Sequence, residues 1–244
     1  MNSCMMLHHA IVPPGTLSAA QRDCMFSLFA THYAGVTQDC FAADLAVKTW
    51  VILLLDEQER IRGFSTQELY PVEHGGIARK ILFSGDTIVE PACWGSQELV
   101  RGWCAVAARM LREGGSTPCY WFLISKGYRT YLYLPLFFKS YHPHHQGTGT
   151  ELKSLLDELA RAKFGSSYDP ISELIQFEPP QARLGAGLDD IPQNREHDPA
   201  VNYFLQRNPD FAQGVELACL ATISLENTHG IGTRLLTQAL AQDI

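Results

Sequence analysis

Residues 50–55 are six apolar side chains in a row, Trp50, Val51, Ile52, Leu53, Leu54 and Leu55, closed by Asp56. An unbroken apolar run of strand length suits a strand buried on both faces of a sheet, so the chain must supply covering layers on two sides. The residues that follow set up partners for it. Asp56, Glu57, Gln58, Glu59 and Arg60 form the polar tip of a hairpin, and residues 61–70 read as the returning strand. Glu73, His74, Gly75 and Gly76 break the pattern, and residues 81–89 form the next strand. Gly85 inside that strand marks a bulge or a close backbone approach. Residues 119–124 are a second buried strand, and Ser125, Lys126 and Gly127 turn into an aromatic-rich helical segment ending near Pro135.

Between these strands lies one strongly amphipathic helix, expected over about residues 96–112. Leu99, Trp103, Val106, Ala107, Met110 and Leu111 recur at helical spacing. Glu98 suits the positive helix start, Arg109 and Arg112 suit the other end, and Gly114 and Gly115 supply the stop. The N-terminus of this helix is a place where an anion could bind.

Towards the ends of the chain, residues 16–33 and about 39–48 read as helices after the breaker Pro13, Pro14 and Gly15, and residues 1–15 are expected to be a frayed terminus. Residues 151–164 form an amphipathic helix with Leu152, Leu155, Leu156, Leu159 and Phe164 on one side. Residues 168–199, rich in Pro, Gly and Asp with a weak strand signal at 174–177, read as an extended loop or lid running over the surface. A short helix at 199–207 and an apolar strand at 215–224 follow. Together these give an α/β (α+β) chain of one domain: a core over 16–145, a helical and loop insertion over 146–213, and a last strand with a C-terminal helix over 214–244.

Composition narrows the function. The chain has 244 residues, 46% hydrophobic and 18% charged, enough to bury a core. A net charge of −7 argues against a broad nucleic-acid footprint. There is no apolar run of the roughly 20 residues needed to span a bilayer and no signal-like start, so a cytoplasmic protein is expected. Seven cysteines, an odd number scattered through apolar segments without a C-x-x-C pair, read as reduced thiols.

The order from Trp50 to Pro143 of strand, hairpin, strand, glycine-led helix, strand and aromatic run resembles the GNAT superfamily of N-acyltransferases. The resemblance implies a mixed, mostly antiparallel sheet flanked by helices and splayed between its fourth and fifth strands. It also implies acyl transfer from a thioester to an amine. In that family a Q/R-x-x-G-x-G/A loop before the central helix cradles the coenzyme A pyrophosphate. Aligned on Pro91, the loop here runs Trp94, Gly95, Ser96, Gln97, Glu98 and Leu99, so only part of the pattern survives. The resemblance implies Val89, Trp94, Gly95, Ser96, Gln97, Glu98 and Lys126 as donor-binding positions, with acyl-CoA or the phosphopantetheine of an acyl carrier protein as donor and no metal. The partners it implies are a small-molecule amine, an acyl carrier protein and a second copy of the chain.

The family's tyrosine acid, which protonates the departing thiolate, falls on Tyr133, with Tyr128 and Tyr131 as competitors and with Phe137 and Phe138 where a Gly-Phe is expected. Asp86 and Glu90, on the strand facing the acceptor, are the candidate bases, and Glu68 and His74 are alternatives on the neighbouring hairpin. The rival reading is a GNAT-like binding or interaction module without catalysis. His142, Pro143, His144 and His145 imitate a metal cluster, but the proline splays the side chains. Residues 230–234 and 147–149 imitate phosphate loops outside the strand order that would give them meaning.

Overall fold

The computed structural model describes residues 6–147, 150–177, 183–185 and 190–242. In chain order the elements are β1 (Leu7–Val12), α1 (Ala19–His32), β2 (Tyr33–Ala34), α2 (Gln38–Ala46), β3 (Trp50–Asp56), β4 (Ile61–His74), β5 (Ile77–Val89) and α3 (Glu98–Gly114). They continue with β6 (Cys119–Ser125), α4 (Tyr128–Tyr131), α5 (Tyr133–Phe137), β7 (Tyr141–His142), α6 (Thr150–Phe164), β8 (Tyr168–Asp169) and β9 (Leu174–Ile175). The last are β10 (Arg183–Leu184), α7 (Pro199–Arg207), β11 (Glu216–Thr222) and α8 (Gly230–Ala241).

Nine strands form one sheet in the order β1-β3-β4-β5-β6-β11-β9-β8, with β7 also on β11. Every neighbouring pair is antiparallel except β5 with β6, which run parallel. The sheet is therefore mixed and mostly antiparallel, flanked by helices. The apolar run at 50–55 lies in its interior, and residues 51–54 are almost wholly covered. Val51, Leu53 and Leu55 pack with α1 and α2, while Ile52 faces the layer that contains α3. Glycine is required where α3 crosses: a Cβ on Gly102 would stand 2.4 Å from Ile52 Cγ2. The third apolar layer joins α6 to Ile81, Phe83, Phe122 and Leu220.

Local chemistry explains the helix starts. Ser18 and Gln21 form a reciprocal capping box at α1, Thr37 accepts from the Cys40 amide at α2, and Asp198 accepts from the Ala200 amide beside Pro199 at α7. Gly230 supplies a left-handed φ of +53° at the start of α8, and Gly232 serves packing. A Cβ on Gly232 would meet the Phe137 carbonyl oxygen at 2.9 Å, so α8 can approach α5 only with glycine there.

Two expectations need correction. Residues 7–12 are not frayed: β1 pairs in unbroken register with β3, from Leu7 opposite Asp56 to Val12 opposite Val51. A strand that borrows its partner from forty residues away leaves little local signal. The segment from 168 is also no simple surface lid. Tyr168 and Ile175 are buried, β8 and β9 extend the sheet beyond β11, and Glu173 is buried against His142 and Arg207. Of the remainder, residues 178–182 and 186–189 lie outside the described residues. No helix among the described residues is long and apolar enough to cross a membrane.

Candidate functional site

The parallel pair β5–β6 holds register only from Lys80 opposite Cys119 to Ser84 opposite Leu123. Beyond it the strands part, and a bulge causes the departure. On β4 Ser65 faces Thr87 and Gln67 faces Ser84, so the single residue Thr66 stands against both Gly85 and Asp86. The glycine flagged in the sequence sits at that bulge. With β6 gone, the outer backbone of β5 has no strand partner. The Glu90 amide donates to the Arg62 carbonyl at 2.9 Å, and antiparallel alternation then turns Ile88 towards β4 and Thr87 and Val89 towards the opening. The sheet is splayed where the sequence resemblance implies. The fold is GNAT-like.

The gap is a cleft of about 610 Å³ walled by β5, the loop before α3, α4, α5, the end of α1, and Pro192 and Arg195. It narrows into an inner compartment of about 50 Å³ under α3, walled by Leu123, Trp103, Trp121 and Phe137 among others. Thr87, Leu99, Thr130 and Tyr133 line both and form the neck between them.

Of the residues singled out in the sequence, Val89, Trp94, Gly95, Ser96 and Tyr133 line the cleft. Trp94 folds back so that its indole Nε1 donates to the Val89 carbonyl at 2.9 Å, and Arg129 stacks over it with the guanidinium 4.5 Å from the ring centre. Gly95 has φ of +94°, the left-handed conformation that the turn into α3 needs. The Ser96 amide is already used, donating to the Cys93 carbonyl at 3.2 Å. The amides of Gln97, Leu99 and Val100 donate to no protein acceptor among the described residues, so these are the groups an anion at this helix end would meet. The Gln97 side chain makes no cap, and the Glu98 carboxylate is held by His9 Nδ1 at 2.9 Å and Arg101 Nε at 3.2 Å.

The three tyrosines separate clearly. Tyr131 is fully buried and its hydroxyl donates to the Pro143 carbonyl at 2.9 Å, which removes it from the cleft. Tyr128 lines only the outer compartment, whereas Tyr133 stands at the neck, stacked on Phe137, its hydroxyl without a hydrogen-bond partner among the described residues. Burial raises the Tyr133 phenol above the usual tyrosine value, which keeps its proton in place.

The carboxylates separate as well. Glu90 does not face the opening; it pairs with Arg62 at 3.2 Å, next to the Asp56 carboxylate that Arg62 also holds at 2.8 Å. His74 pairs with Glu158 at the far tip of the hairpin, and Glu68 accepts from Lys163 at 2.6 Å. Asp86 is different. Removal from water, helped by the Asp44 carboxylate, pushes it up to about 7 against the pull of Lys126 and Lys48. Asp86 in turn raises the phenol of Tyr33, which lines the cleft and is already raised by burial. Lys126 lies 4.8 Å over the Tyr33 ring and 3.3 Å from Glu216, so it belongs to this acidic group and not to the loop before α3.

His32 escaped sequence reasoning. It closes α1, lines the cleft, and its Nδ1 lies 2.9 Å from the Leu28 carbonyl, which can only accept. Nδ1 therefore carries the proton and Nε2 is left as a buried acceptor without a partner among the described residues. Its one sequence signal was a histidine in the last turn of a helix.

No family model and no curated protein sequence matches the chain. Among solved structures it is similar to a probable N-acyltransferase of unknown function from Enterococcus faecalis V583, with a TM-score of 0.42 and 12% identity over 56% of this chain and 33% of that one. It is also similar to YhbS, a GNAT family N-acetyltransferase from Escherichia coli in complex with CoA, with a TM-score of 0.34 and 14% identity over 50% of this chain and 64% of that one. A GCN5-related N-acetyltransferase from Kribbella flavida gives a TM-score of 0.41 and 14% identity over 67% of this chain and 45% of that one. The match thus spans a third of the first of these chains and under two thirds of the second.

Proposed function

We propose that the protein transfers a short acyl group from a thioester donor to an amine, with the thioester held at the neck of the cleft. The observation that carries this reading is the juxtaposition at the β5–β6 parting of a strand edge and a phenol, Tyr133, both without a pairing partner among the described residues, beside Thr87. The donor's pantetheine arm lies along the outer edge of β5, where the Thr87 and Val89 backbone faces the opening. Its phosphates meet the unpartnered amides at the start of α3 together with Arg129 and Arg195. The inner compartment has room for a few water-sized groups, which suits an acyl chain of two or three carbons.

The chemistry needs no covalent enzyme intermediate. A neutral amine attacks the carbonyl carbon, the carbonyl electrons move onto oxygen, and the C–S bond then breaks as the carbonyl reforms. The amine's proton passes to Asp86, directly or through water, and Tyr133 gives its proton to the departing thiolate. An Asp86 pushed up to about 7 is matched to accept a proton near neutral pH. Free coenzyme A and a carrier protein present the same arm, and the α3 amides and the two arginines favour the donor that brings more phosphate.

Thermal unfolding tests the reading. Acetyl-CoA at a hundred times its dissociation constant adds about 2.7 kcal/mol of stability, and acyl-carrier protein is the parallel trial. Unfolding unaffected by coenzyme A, acetyl-CoA and acyl-carrier protein at millimolar concentration would leave a GNAT-like module without a donor.

A further inference from the structure

A row of polar side chains runs beneath α3 from the inner compartment to the neck. The Trp121 indole Nε1 donates to Ser84 Oγ at 2.8 Å, and Ser84 Oγ donates to Gln67 Oε1 at 2.7 Å. Gln67 Nε2 donates to Ser65 Oγ at 2.7 Å, and Ser65 Oγ lies 2.7 Å from Thr87 Oγ1. Trp121, Ser84, Gln67 and Ser65 are all buried, so their protons must be placed within the row.

The row has a direction. An indole only donates, so Ser84 accepts from Trp121 and must pass its own proton to Gln67 Oε1. Turning the Gln67 amide over would leave that buried Ser84 proton without an acceptor. The Gln67 amide therefore faces Ser65 with its N–H, Ser65 gives its proton to Thr87, and the Thr87 proton is left pointing out of the row. Thr87 lines both compartments, so its side chain borders the neck. Each link polarises the next in a site of low dielectric, which makes the last hydroxyl a better donor than an isolated threonine.

From this geometry we infer that the Thr87 hydroxyl donates the hydrogen bond that holds the thioester carbonyl oxygen and then the negative charge formed there on attack. Thr87 is thus a catalytic residue, and Ser65, Gln67, Ser84 and Trp121 are positioning residues that aim its proton. The inference rests on the acyl-donor reading above. It goes beyond that reading in assigning the oxyanion donor to a side chain, where the strand edge alone would offer only backbone.

The test is isotope-edited infrared spectroscopy of acetyl-CoA labelled with ¹³C at the carbonyl, bound to the wild-type protein, Thr87→Val and Thr87→Ser, with turnover and coenzyme A affinity measured alongside. The bound carbonyl stretch is expected at lower frequency in the wild type and Thr87→Ser than in Thr87→Val. Turnover in Thr87→Val is expected to fall about 10²-fold with coenzyme A affinity unchanged. Trp121→Phe, which removes the donor at the far end of the row, should raise the stretch part of the way towards the Thr87→Val value.

A stretch equal in Thr87→Val and the wild type, with acetyl-CoA bound to both, overturns the assignment and leaves the donor reading standing. Failure of the wild type to bind either acetyl-CoA or coenzyme A ends both. Should Thr87→Val not fold, the wild type alone decides: a bound stretch at the frequency seen for the same thioester in an apolar solvent overturns the assignment.

Discussion

Between Lys80 and Ser84, β5 is flanked by β4 and β6, and Ile81, Leu82 and Phe83 fill apolar layers on alternate faces. Between Gly85 and Val89 the same strand keeps β4 but has lost β6, and its side chains include a carboxyl pushed up to about 7 and a hydroxyl at the neck of a cleft. One extra residue opposite Thr66 divides the two halves. The comparison teaches that the site comes from withholding a strand: the paired half stores stability, and the open half presents backbone that no strand pairs among the described residues and a hydroxyl at the neck. If that division is real, substitutions in the two halves should fail in different ways.

The sharpest contrast is expected from Asp86→Asn in the open half. Loss of the proposed base should lower turnover by about 10³-fold and remove the rise in kcat expected of the wild type as pH passes about 7. Stability should move the other way. With the Asp86 carboxyl pushed up to about 7 from an ordinary value of 3.8, the folded state binds more protons than the unfolded state between those limits. The stabilisation from this group is then fully present below about 4 and lost as pH rises through about 7. Asp86→Asn should therefore flatten the pH dependence of unfolding in that window and compare best with the wild type above it. An unchanged pH profile of kcat would move the base elsewhere, with His32 the next residue to change.

In the paired half, Leu82→Ala removes a fully buried side chain, with an expected cost of about 2–5 kcal/mol by denaturant unfolding and little change in KM for the folded fraction. A large loss of donor affinity with little loss of stability would erase the distinction between the halves. Tyr133→Phe keeps the ring stacked on Phe137 and removes only the proton, so turnover should fall about 10²-fold with melting temperature and coenzyme A affinity unchanged. Tyr128→Phe is the control at the same cleft, and an effect as large there would displace the acid from the neck.

The smallest effect concerns the start of α3. Because the Ser96 amide is already bonded within the loop, proline belongs at Gln97, whose φ of −89° is close to what a proline ring permits and whose amide has no partner among the described residues. Gln97→Pro should weaken coenzyme A binding about tenfold by calorimetry, and Gln97→Ala should not. Equal affinities in the two would mean that this helix end is only a terminus.

What the sequence made legible follows the same division. The buried run at 50–55, the hairpin, the amphipathic α3 and the late strand were readable because each carries its own periodicity, and Gly85 marked the bulge. The open half was only partly readable. Asp86 and Tyr133 could be singled out as candidates, but Glu90 looked equivalent to Asp86 until Arg62 was found holding it. Ser65, Gln67, Ser84 and Thr87 read as polar positions of ordinary strands; that they bond to one another under α3 is a consequence of strand register across two hairpins, which no local pattern encodes. β1 was missed for the same reason, since its whole backbone ladder is to a strand far along the chain.

Hydrogen–deuterium exchange with and without acetyl-CoA addresses the open half of β5 most directly. The account predicts slowed exchange at residues 85–99 and 127–133, with residues 80–84 unchanged because β4 and β6 already protect them. Exchange that is the same with and without donor across 85–99, under conditions where acetyl-CoA is bound, would contradict it.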